Sequence, residues 1–135
     1  MRFFLTQLQA FNAVYKLLDD YHETTGTKDI FWLIGDMLFL PDNNTVDSAI
    51  WEDWIDAIEN KKLLSKQEAF NGMIKFLEIY RSLGELGDVT ALIDKLNMAK
   101  NADDVSVPLI KKWNLYVKKV LSEPEGTREY LRLTK

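Results

Sequence analysis

No cysteine occurs among the 135 residues, which excludes a disulfide framework, a thiolate metal site and a thiol nucleophile. Histidine is nearly absent as well. His22 stands alone, and the residue that corresponds to it in the internal repeat described below is Arg81, so it reads as a surface residue rather than a catalyst. The motifs HExxH, ExxH, GxGxxG, GxSxG and the Walker loop do not occur, leaving no recognisable catalytic, nucleotide-binding or metal constellation. The expectation is therefore a protein that is not an enzyme and needs no cofactor and no metal. No apolar run reaches the roughly 18 residues of a membrane span. The best candidate, Ile30 to Leu40, carries Asp36. The start, MRFFLTQLQAF, turns polar quickly and lacks a small-residue cleavage site, so no signal peptide is expected. These absences together predict a cytoplasmic protein without membrane contact.

What is present is enough for a core: 47% hydrophobic and 12% aromatic residues, with 28% charged and a mean hydropathy of -0.20. These values fit a single globular domain over residues 1–135. The net charge of -4 is unevenly placed. Residues 1–62 hold five basic and eleven acidic side chains, residues 63–135 twelve basic and ten acidic. An acidic half disfavours a nucleic-acid backbone and favours a basic partner.

Sliding the chain by 59 residues places 5–62 on 64–121 with twelve identities, against about three or four expected by chance. They are Leu5/Leu64, Ala10/Ala69, Phe11/Phe70, Asn12/Asn71, Lys16/Lys75, Leu18/Leu77, Tyr21/Tyr80, Asp29/Asp88, Leu33/Leu92, Ile34/Ile93, Val46/Val105 and Trp54/Trp113. This reads as one unit written twice, followed by a tail, 122–135.

Each unit reads as three helices. The first opens with a capping box, Thr6-x-x-Gln9 or Ser65-x-x-Glu68. Leu8, Phe11, Tyr15, Leu18 and Tyr21 then follow at helical spacing, as do Phe70, Met73, Ile74, Leu77 and Tyr80. Gly26 and Gly84 mark the stops. Asp29 and Asp88 sit at the starts of the second helices, and the turn Pro41 to Asn44 closes the first of these. The third helices begin at Asp47 and Ser106, with Trp54 and Trp113 in their middles and Pro108 in a first turn, where its missing amide costs little. No strand is expected. In the tail, Thr127 caps a short helix through Arg132. The predicted fold is all-α: a helical bundle of two pseudo-symmetric three-helix repeats plus a C-terminal tail. Asn12 and Asn71 are expected to hold a helix or loop contact rather than to form a site.

Differences between the units point to function, because a core is needed twice and a binding surface once. At 100° per residue, Ile50, Trp51, Trp54, Ile55, Ala57 and Ile58 fill an apolar arc, and Glu52, Asp53, Asp56 and Glu59 share one solvent-facing stripe. The corresponding helix of the second unit carries Lys111, Lys112, Lys118 and Lys119 instead. One helix without loop carbonyls or histidine is a poor cation site; the stripe reads either as an ordinary solvated face or, more sharply, as a platform for a basic protein surface. In the second helix of the first unit, Ile30, Leu33, Ile34 and Met37 make a core stripe that Phe31 and Leu38 widen. Trp32 and Phe39 lie near the opposite face. Either the tail, with Tyr130, Leu131 and Leu133, covers those two, or they form an exposed anchor for a partner or a second subunit.

The segments DIFWLIGDMLFLPD (Asp29 to Asp42) and WEDWIDAIE (Trp51 to Glu59) resemble small bacterial immunity proteins of toxin–immunity systems, including contact-dependent growth inhibition. Tyr21, Asp29, Ile30, Gly35, Asp36, Met37, Trp51, Glu52, Asp53 and Trp54 carry the resemblance. The second unit keeps only Tyr80, Asp88 and Trp113 of those positions. The resemblance implies a cytoplasmic protein that binds and neutralises a cognate toxin domain, often a basic nuclease. The partner-binding candidates are Glu52, Asp53, Asp56 and Glu59, then Asp36, Trp32 and Phe39. The alternative is a homodimeric structural or adaptor module joined through Trp32 and Phe39.

Overall fold

Two reciprocal side-chain boxes start the two longest helices. Thr6 Oγ1 accepts from the Gln9 amide at 3.1 Å while Gln9 Oε1 accepts from the Thr6 amide at 2.9 Å. Ser65 and Glu68 repeat the pattern at 3.0 and 2.8 Å. Each box satisfies two amides that a helix start otherwise leaves unpaired. From them run α1 (Gln7–Thr25) and α4 (Lys66–Arg81). The computed structural model describes residues 4–82, 84, 86–100 and 107–132. The remaining helices are α2 (Lys28–Met37), α3 (Ser48–Ala57), α5 (Gly87–Lys100) and α6 (Pro108–Ser122). The fold is an all-α bundle. Gly26 closes α1 in the left-handed region at φ 66°, its amide donating to the His22 carbonyl at 2.7 Å. Asp47 caps α3 by accepting from the Ala49 amide at 3.0 Å. The expected start at Ser106 lies outside the described residues.

The absence of strands needs correcting. Leu5–Thr6 (β1) and Leu63–Leu64 (β2) form a short antiparallel pair, Leu5 opposite Leu64. Each strand immediately precedes or contains a helix cap, whose extended backbone leaves polar groups free for the other strand.

Residues 59 apart in sequence also meet where the Asp88 amide donates to the Asp29 carboxylate at 3.3 Å. The third helices are exchanged between the halves: α6 packs chiefly on α1, and α3 on α4. Both third helices are fixed in the same way. The Trp54 indole N–H donates to the Gln7 carbonyl at 3.1 Å, and the Trp113 indole N–H to the Lys66 carbonyl at 3.2 Å. Trp54 is fully buried, edge-on to Phe76 and Phe11 at 5.8 and 6.0 Å between ring centres.

The tail differs most from expectation. Residues 127–132 form no helix. They run extended past the end of α2, where the Phe39 amide donates to the Glu129 carbonyl and the Leu131 amide to the Phe39 carbonyl, both at 2.8 Å. Phe39 lies beyond the last turn of α2 with both backbone groups open. An extended neighbour satisfies them, and a helix there would not. Asn12, buried in the core, donates to the Thr127 carbonyl at 2.7 Å. Lys16 lies 3.6 Å from Glu123 and 3.5 Å from Glu129. The shared asparagine thus holds a loop contact in the first half. In the second, Asn71 accepts from Gln67 on its own helix, at 3.1 Å.

Gly72 of α4 faces Trp54 and Ile58 so closely that an added Cβ would lie 2.7 Å from Ile58 Cγ2. Alanine is intrinsically better than glycine in a helix by about 1 kcal/mol, but overpacking costs about 1–3 kcal/mol. Gly72→Ala is therefore expected to lose on the order of 1 kcal/mol of stability net. Urea denaturation checks this, and a raised midpoint would show that the seam yields.

Candidate functional site

The acidic stripe survives in the folded chain with one change of geometry. Glu52, Asp56 and Glu59 are exposed and Asp53 is half-buried. Glu59, however, is not helical. The helix ends at Ala57, and Glu59 and Asn60 both take left-handed backbone, at φ 57° and 55°. Glu59 therefore stands at the rim of the stripe on a turn closed by the Asn60 amide, which donates to the Ile55 carbonyl at 2.9 Å. Among the described residues none of these four carboxylates forms an ion pair; the pairs present are Lys16 with Glu123 and Glu129, Lys61 with Glu68, and Lys112 with Asp20.

The chain between α2 and α3 brings Asp36 to this face. The Asp47 amide donates to the Asp36 carbonyl at 3.3 Å. Thr45, buried beneath the turn, donates its hydroxyl to the Asp47 carbonyl at 2.7 Å. The Asn44 amide donates to Asp42 Oδ1 at 3.0 Å, and Asn43 takes φ 67°. Asp47 consequently acts on both Asp36 and Asp53. Partial burial raises the Asp36 carboxyl pKa, with Asp47 adding to it. Burial likewise raises that of Asp53, followed by repulsion from Asp56, Asp47 and Glu52. Across from them the Tyr80 phenol is raised by burial, then by Asp36, Asp29 and Asp47. Spacing in the sequence did not indicate Asp47 or Tyr80 as part of this face; Asp47 was visible only as the start of the third helix.

The helix carrying the stripe gains nothing from it. Acidic side chains favour a helix N-terminus and basic ones its C-terminus. α3 has no acidic residue in its first turn and no basic residue in its last, and Asp56 sits near the negative end. The charges are therefore neither paired nor placed for helix stability.

The aromatic candidates separate. Phe39 is 3% exposed, covered by the tail and by the Arg128 guanidinium, 5.5 Å from its ring centre. It is core and not an exposed anchor. Trp32 is 67% exposed and, at i and i+4 of one helix, shares a face with Asp36. Phe31, expected to widen the buried stripe of α2, is 49% exposed instead. It stands edge-on to Trp32 at 5.8 Å, and the His22 ring lies 5.2 Å away. Nothing in the helical pattern of α2 told these exposed rings from covered ones. Beside Glu52, a recess of about 290 Å³ is walled by Trp51, Thr45, Phe39 and the tail's Arg128. Among the described residues no cluster of three or more His, Asp or Glu side chains is arranged to hold a metal ion, and no helix is long and apolar enough to cross a membrane.

No protein-family model, curated protein or solved structure matches the chain.

Because Asp53 holds its proton more tightly folded than unfolded, its ionisation at neutral pH works against folding. Stability from this group rises as pH falls from the raised folded value toward the ordinary aspartate value. Asp53→Asn is expected to stabilise the protein by a few tenths of a kcal/mol near pH 7, with the gain vanishing near about pH 3, where the carboxyl is protonated in both states. Urea midpoints at the two pH values check it.

Proposed function

We propose that the protein is an immunity-type binding protein that neutralises a toxin domain with a basic active face, such as a nuclease, through the surface built by α2 and α3. The observation that carries this reading is the unpaired acidic face: Glu52, Asp53, Asp56 and Glu59 free of ion pairs among the described residues, with Asp36 and Asp47 drawn in beside them and Trp32 exposed on the adjoining face. A nuclease carries positive charge where phosphate binds. A negative surface on its inhibitor steers encounter and fixes orientation, and a protruding tryptophan supplies the desolvated anchor that charge alone does not. The resemblance of Asp29–Asp42 and Trp51–Glu59 to immunity proteins supports the same reading. No chemistry by the protein itself is required.

A neighbouring reading frame that encodes a large secreted protein with a variable C-terminal domain would favour this reading, and that domain is then the ligand for the test. Glu52→Lys, Asp56→Lys and Glu59→Lys together are expected to slow association about 10- to 100-fold at low salt, with the difference shrinking as salt rises and the helical circular dichroism unchanged. Unaltered association after that change would remove the proposed face.

A second reading, self-association through α2, rests on the exposure of Phe31 and Trp32; Phe39 no longer contributes to it. Under the leading reading, light scattering gives the 15.7 kDa monomer at every concentration, and Trp32→Ser weakens toxin binding by about 2 kcal/mol or more. A dimer mass that falls on changing Phe31 and Trp32 to Ser would favour the second reading.

A further inference from the structure

The two third helices correspond in sequence but end differently. α3 stops at Ala57, whose counterpart is Tyr116, whereas α6 continues to Ser122. The continuation builds a wall that the first half lacks. Between it and the start of α4 lies a groove of about 680 Å³ whose apolar lining is the half-buried Leu121 over the core residues Leu5 and Val117, with Lys66 and Lys118 beside them. Its sides are fixed to each other, because the Lys66 carbonyl accepts the Trp113 indole N–H at 3.2 Å. Five of its positions also differ in chemistry from their counterparts 59 residues earlier: Lys66 replaces Gln7, Lys118 replaces Glu59 and Leu121 replaces Lys62, while Asn114 replaces Ile55 and Ser122 replaces Leu63. The two lysines add positive charge at the rim, and Leu121 puts an apolar side chain where the first half has a lysine.

We propose that this α4–α6 groove is a second docking site, taking an acidic amphipathic helical segment of a protein partner. Asn114, Val117, Lys118 and Leu121 lie at i, i+3, i+4 and i+7 along α6, a line of about 10 Å, or two helical turns. That is the register in which a helix laid in a groove presents its own anchors. Lys66 and Lys118 are both exposed and select negative flanks on the incoming segment. The groove is only partly enclosed. A polypeptide segment buries one face in such a trough, whereas a small ligand needs most of its surface enclosed. The charge is opposite to that of the α3 face, so this site takes a different segment or a different partner and stands whether or not the toxin reading does.

The experiment uses the full chain and a fluorescein-labelled synthetic helix with leucines at i, i+3, i+4 and i+7 and glutamates on the flanks, followed by fluorescence anisotropy. Saturable binding is expected that weakens with salt. Lys66→Glu with Lys118→Glu, both at exposed positions, should weaken it about tenfold or more, and Leu121→Glu should do the same, with circular dichroism unchanged. The Glu52, Asp56 and Glu59 reversal should leave it intact, which separates this site from the acidic face. The proposal is overturned if the peptide fails to bind, or if the groove variants bind it as well as the parent does. Equal binding by a scrambled peptide or a lysine-flanked one overturns it too. Dodecanoate shifting the Leu121 methyl resonances while the peptide stays free would make the groove a small-amphiphile site and also end the proposal.

Discussion

The indole of Trp54 holds the acidic helix to the rest of the molecule. Its N–H donates to the Gln7 carbonyl, at the start of α1, and its rings lie against Phe11, Phe76 and the bare surface of Gly72. α3 has ten residues, too few to persist alone in water, and it carries like charges that repel. A buried tryptophan removes about 150–250 Å² from water, worth roughly 4–6 kcal/mol as an upper bound. Each like-charge pair costs a few tenths of a kcal/mol. Burial wins by an order of magnitude, so the outer face of α3 is free to carry charges that do nothing for the fold.

The same anchor recurs at Trp113 and Lys66, with a different outside. Where the first half has Glu52, Asp53 and Glu59, the second has Lys111, Lys112 and Lys118. The third helices also differ in length, so one end is a turn of left-handed residues and the other a wall. Shared inner positions with opposed outer ones give a molecule that presents negative and positive surfaces from similar scaffolding. The proposed partner of the α3 face and the proposed segment in the α4–α6 groove are accordingly of opposite charge.

Features set by nearby residues were legible in the sequence. Both capping boxes, the Asp47 cap and the Gly26 stop depend on side chains within a few positions of the backbone they satisfy. The acidic stripe followed from helical angle alone. Glu59 departed from it because two non-glycine residues adopt left-handed backbone after Ala57, which no glycine announces. The tail was foreseen as one possible cover for Phe39, but its extended form depends on Asn12 and the backbone of Phe39, more than eighty residues away. Phe31 and Trp32 show the limit of periodicity. A helix apolar nearly all round demands cover for its rings, and the pattern does not say that only Phe39 receives it. The groove was illegible for a similar reason, since it depends on how far α6 extends beside α4.

The tail links the core to the proposed binding face. Asn12 holds Thr127, Phe39 is paired on both backbone groups, and Arg128 is thereby set over the Phe39 ring. The same arginine walls the recess beside Glu52 and Trp51. A cation held there trims the negative field at one edge of the acidic face and leaves Asp53 and Asp56 farther along α3, and Glu59 beyond its end, without an ion-pair partner among the described residues. Attraction for the proposed basic partner would thus be graded along this face. A graded field fixes an approach direction as well as favouring encounter, which a uniformly acidic, merely soluble surface would not do.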